Sequence, residues 1–163
     1  MKKSILFCFL FLIAISFYGC PYDTKVPISE PEIKINDSYL GVWTVKNMKT
    51  KYRLTKEDEY HILITSMNVD STSKDTTKYS AHFSRIDNVT FLNIRNISKG
   101  SFVDSDSYFL YRFEVISNNE IKTNEVTNNI KEKFTSSGEL HDFIKKYMNL
   151  SFFYGNEEIY IRE

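Results

Sequence analysis

The chain has 163 residues and is formally neutral, with 21 Lys and Arg against 21 Asp and Glu. That balance argues against a nucleic-acid partner, which calls for a strongly basic face, and the length suits one folded domain after any leader. Two cysteines, Cys8 and Cys20, and five dispersed glycines leave no room for a disulfide framework, a P-loop or a dinucleotide fingerprint.

The first element is apolar. Lys2 and Lys3 precede an almost continuous apolar run from Ile5 to Phe17. A bilayer-spanning helix needs about 20 apolar residues, so thirteen behind a positive start read as the core of a secretory signal, residues 1–19. Gly19-Cys20 follows at once. A small residue before a cysteine at the end of such a run resembles the lipobox of bacterial lipoproteins. The resemblance implies that Cys20 becomes the mature N-terminus and carries diacylglycerol plus a further acyl chain such as palmitate. Alkylation of this kind uses the thiolate as nucleophile, and each buried CH₂ adds about 0.8 kcal/mol of membrane affinity. Membrane attachment through Cys20 is therefore expected, in a bacterial cell envelope. Pro21, where lipoproteins retained at the inner membrane often carry aspartate, points to the outer membrane. Loss of residues 1–19 leaves 19 basic against 21 acidic residues and one cysteine, so neither a disulfide nor a cysteine zinc site is expected.

Residues 20–37 hold all three prolines, Pro21, Pro27 and Pro31, among Asp23, Lys25, Glu30, Glu32 and Lys34. Proline at this density favours extended chain. The expectation is a solvated tether that could reach roughly 50 Å and lift the domain off the bilayer.

The domain proper, residues 38–163, reads as strands. They are expected at Leu40–Asn47, Lys51–Leu54 and Tyr60–Met67, then, after a polar loop at Asn68–Thr76, at Lys78–Arg85 and Val89–Arg95. Tyr108–Ile116 and Ile121–Val126 follow. Tyr79, Ala81 and Phe83 alternate with Ser80, His82 and Ser84, and Phe109, Tyr111, Phe113 and Val115 share one face. Asp87-Asn88 and Asn118-Asn119 are hairpin signals. A helix follows. Ser136 and Glu139 resemble a capping box, and Leu140, Phe143, Ile144 and Tyr147 form one apolar stripe. A last strand is expected at Glu158–Arg162. Consecutive hairpins at this spacing argue for an antiparallel meander closing into a barrel of about eight strands, with the helix before the last strand.

Leu40-Gly41-Val42-Trp43 resembles the Gly-x-Trp signature that opens lipocalin and fatty-acid-binding-type barrels. The resemblance implies that Gly41 permits a tight entry and that Trp43 plugs the closed end. It also implies a late-strand arginine over the indole, for which Arg162 is the candidate. Taken whole, the chain is similar to the small lipocalin-like lipoproteins of Bacteroidetes-type bacteria.

No catalytic constellation is visible, so an enzyme is not expected. His61, His82 and His141 lack metal-ligand spacing and read as surface residues. Asp104 and Asp106 suggest a calcium loop but lack its glycine and closing glutamate. No metal or cofactor is expected. Phe83, Phe109, Tyr111 and Phe113 either fill the core or line a pocket whose tyrosines offer polar tips, and the domain's size favours filling. The expected function is a non-enzymatic envelope module binding a small apolar ligand in its barrel. The alternative is a structural lipoprotein with a filled core, accessory to an envelope protein complex.

Overall fold

Ten elements follow one another in chain order: β1 (Asp23–Thr24), β2 (Gly41–Val45), β3 (Thr50–Lys56), β4 (His61–Asn68), β5 (Thr77–Ile86), β6 (Val89–Asn96), β7 (Tyr108–Ser117), β8 (Glu120–Val126), α1 (Ser137–Tyr147) and β9 (Tyr154–Arg162). They come from a computed structural model that describes residues 22–46, 48–68, 76–98, 106–127 and 129–163. The apolar run at 5–17, Cys20 and Asp104 lie outside the described residues.

Each strand from β2 to β9 pairs antiparallel with the next, and β9 returns to β2 with Trp43 opposite Arg162 and Val45 opposite Tyr160. The result is a closed eight-stranded antiparallel barrel with one helix before the last strand, as the patterning leads one to expect. Closure removes the unpaired edges that an open sheet would present. The hairpins solve their geometry differently. Asp87 takes φ 51° in the β5–β6 turn, a conformation that Asp tolerates. The β7–β8 turn instead carries a bulge between Val115 and Ser117, and the Asn119 amide donates to Ser117 Oγ at 3.2 Å. The final strand starts four residues before the expected Glu158, because Tyr154 pairs with Val126.

Alternation along the strands divides the apolar side chains between two cores. Inward residues Trp43, Ile62, Ile64, Ala81, Phe83, Leu92, Phe113 and Ile121 form the core inside the barrel. Outward Ile86, Phe91, Leu110 and Val126 form a second core on the outer wall. That wall needs a cover, and two segments supply it. Helix α1 lays Leu140 and Ile144 on it, with Met148, just past its end, and Phe153 beside them. Ser136 Oγ accepts from the Glu139 amide at 3.3 Å, while Glu139 reaches one residue further back than a capping box, to the Thr135 amide.

The second cover corrects an expectation. Residues 22–36, read as a solvated tether, are a strap across the barrel wall. Tyr22, Thr24 and Ile28 are buried, while Asp23 and Lys25 face water. The Tyr22 amide bonds Val126 O at 3.1 Å, and β1 pairs with β7 through Asp23–Phe109 and Thr24–Tyr108. The Ile28 amide donates to Asn93 Oδ1 at 2.8 Å, and Ser29 Oγ meets Ser84 Oγ at 2.7 Å. The strap then passes the β3–β4 turn, where the Ile35 amide bonds Glu59 O at 3.0 Å, and enters the barrel floor. Alternation from Tyr22 through Thr24 and Val26 to Ile28 turns one side of the chain to the wall, and burial of its apolar groups wins over solvation.

Candidate ligand site in the barrel

The closed end is built around Trp43. Its Nε1–H donates to Tyr39 O at 2.9 Å, and the Arg162 guanidinium carbon lies 4.3 Å from the ring centroid. Arg162 also donates from Nε to Asn118 O at 3.0 Å, from Nη1 to Leu40 O at 2.7 Å, and from Nη2 to Ser38 O. One side chain thereby joins the entry to β2, the β7–β8 turn and the indole. Gly41 makes this possible. It takes φ +131°, and a Cβ there would stand 2.9 Å from Arg162 Nη1, so an L side chain would meet both backbone strain and a clash. Tyr39 completes the floor, edge-on to Phe83 and Phe113 at 5.5 and 5.3 Å between ring centroids.

Above that floor the barrel is not filled. A cavity of about 360 Å³ is lined by side chains from all eight strands. Trp43, Leu54, Ile64, Leu92, Phe113 and Ile121 supply its apolar wall. Phe109 and Tyr111 also line it, whereas Phe83 packs beneath it against Phe113 at 4.9 Å. The four aromatic residues singled out from the alternation thus divide between lining and floor.

Polar groups gather toward the opposite end, where β3, β5, β7 and β9 begin and β6 and β8 finish. Tyr52, Tyr79, Tyr111 and Tyr160 line the cavity there, with Asn96 and Thr123. The single charged lining residue is Glu158 on β9. Tyr160 donates its hydroxyl proton to Glu158 Oε2 at 2.5 Å, and its ring stands 5.7 Å from that of Tyr52. Glu125 on β8 pairs with Tyr111 across the β7–β8 ladder, two residues beyond Thr123, which pairs with Glu158. Burial raises the Glu125 pKa, and the Glu158 charge raises it further. Burial likewise raises the Tyr111 and Tyr160 phenols, with the neighbouring carboxylates adding to it. Glu125 Oε1 is buried without a hydrogen-bond partner.

On β9 the sequence pattern singles out Arg162 alone. Period-two alternation back along β9 places Tyr160 and Glu158 on the same inward face, and that signal was available. His82 is a correction. It was read as a surface residue and is 4% exposed, lying under the strap with Nε2 3.0 Å from Ser29 O. A carbonyl only accepts, so Nε2 carries the proton. His61 sits in a surface pair with Asp58 at 2.7 Å, and His141 lies on the outer face of α1. Among the described residues, no group of three His, Cys, Asp or Glu is placed to hold a metal ion, and no helix is long and apolar enough to cross a membrane.

Fold and site together define an eight-stranded antiparallel barrel with an internal, mainly apolar cavity closed at one end by a Trp–Arg pair. No family model, curated protein or solved structure matches the chain.

Proposed function

We propose that the chain is a lipid-anchored envelope protein whose barrel binds a small apolar ligand. The observation that carries the reading is the cavity of about 360 Å³ inside the closed barrel. It lies within the roughly 300–1,000 Å³ range of small-molecule sites. A barrel selected only for stability would fill that space, because interiors otherwise pack as densely as organic crystals. The Trp43–Arg162 closure supports the same reading, since it leaves access from one end. The anchor rests on the apolar run before Gly19-Cys20.

The test is native mass spectrometry of the Tyr22–Glu163 portion, which contains β1 to β9, α1 and the strap. It should be purified from its cells without detergent, and any bound material extracted into organic solvent. A stoichiometric small apolar molecule is the expected result. An apo mass that stays unchanged after incubation with apolar extracts would overturn the reading. Attachment is checked separately: radiolabelled palmitate should enter the chain, and Cys20→Ala should release it from the membrane fraction.

A further inference from the structure

The charge of the cavity constrains the ligand further. We propose that the cavity takes an amphipath with a cationic head, an amine carried on an apolar body, with the charge held between Glu158 and Glu125 and the apolar body against the wall above Trp43. The proposal rests on the ligand-binding reading above.

Three observations carry it. First, the lining has one charged side chain, the carboxylate of Glu158, and holds no lysine, arginine or histidine. A second carboxylate, Glu125, joins it on the adjacent strand, and among the described residues neither forms an ion pair with a lysine or arginine. Second, Glu125 Oε1 is buried with no hydrogen-bond partner. An acceptor left so costs free energy that a donor on a ligand would recover. Third, four tyrosines, Tyr52, Tyr79, Tyr111 and Tyr160, line the cavity with Glu158, and Tyr111 also stands opposite Glu125 across the β7–β8 ladder. Their ring faces attract an ammonium group within about 6 Å. A fatty acid or other anionic amphipath would instead bring its own negative charge against the acidic side of a partly desolvated site, where like charges repel more strongly than in water. The tyrosine hydroxyls give that anion no cationic partner.

The experiment uses three probes that differ only at the head: octylamine, octanol and octanoate. Trp43 is the chain's single tryptophan and lines the cavity, so its fluorescence reports occupancy at that place. At neutral pH, octylamine should bind at least about tenfold more tightly than octanoate, the ratio expected from one charge-assisted hydrogen bond. In the Glu125→Gln/Glu158→Gln double variant that preference of octylamine over octanoate should collapse to about threefold or less. Should the double variant not fold, the wild-type chain gives the same answer by pH. Octylamine affinity should fall as pH drops and Glu125, whose pKa burial raises, takes up a proton, while octanol affinity holds.

The outcomes separate the two claims. Equal binding of all three heads, or tighter octanoate, would overturn the cationic head and leave a ligand-binding barrel standing. No fluorescence change with any probe would remove both.

Discussion

At the residue scale, Arg162 carries more of the fold than its position, one residue from the end of the sequence, suggests. It stacks on Trp43 and donates to three backbone carbonyls. Arg162→Ala would leave those carbonyls to find water and uncover the indole. Denaturant unfolding should show a loss of about 2–4 kcal/mol, with a shift in Trp43 emission. Arg162→Lys should recover only part, because an ammonium cannot reproduce the planar fork. The pair was legible because a glycine, a tryptophan and a late arginine are rare residues in meaningful places. His82 was not legible, because strand alternation says which face a side chain takes and not what covers that face. Its pKa is lowered, first by burial and then by His61 and Arg95, while the Ser29 carbonyl and Glu30 act the other way; the Tyr108 ring packs against it as well. The folded chain therefore resists a proton that the unfolded chain accepts below about pH 6.5. Stability should be fully present above that pH and decline as pH falls toward the lowered folded value. Unfolding midpoints measured between about pH 7 and 5 should slope downward in the wild type. In His82→Gln, which cannot titrate, the slope should flatten; an unchanged slope would assign it to other groups.

At the element scale, the strap is where reading and structure part most. Prolines and alternating charges have the composition of a solvated linker. The same stretch places Tyr22, Val26 and Ile28 on one side of the chain with Thr24 between them, a short mainly apolar face that composition hides. Its burial depends on the outer wall of β5–β7 being apolar, and on Asn93 and Ser84 standing ready to satisfy its backbone and Ser29. Neither fact is local to the strap, so no window of sequence around it contains the answer. Ile28 is 1% exposed at the centre of this contact. Ile28→Ala should lower unfolding free energy by about 2–5 kcal/mol, whereas a free tether would tolerate the change without effect.

At the scale of the whole molecule, the meander was legible because each hairpin has its own turn residues and each strand its own alternation. These local signals agree with one another, as foldable sequences require. The cavity was not legible. The same aromatic residues could fill a barrel or line it, and which occurs depends on how eight strands stagger and on where Tyr39 is carried by the strap. The strap also sets how the barrel meets its surroundings. It begins at Tyr22, bonded to Val126 at the finishing end of β8, the same end at which the tyrosines and Glu158 gather. Only Pro21 lies between Tyr22 and Cys20, and two residues reach about 7 Å. A chain anchored through Cys20 would thus stand on no stalk. It would rest with its entrance against the headgroups, so that a ligand could pass between bilayer and barrel while crossing almost no water.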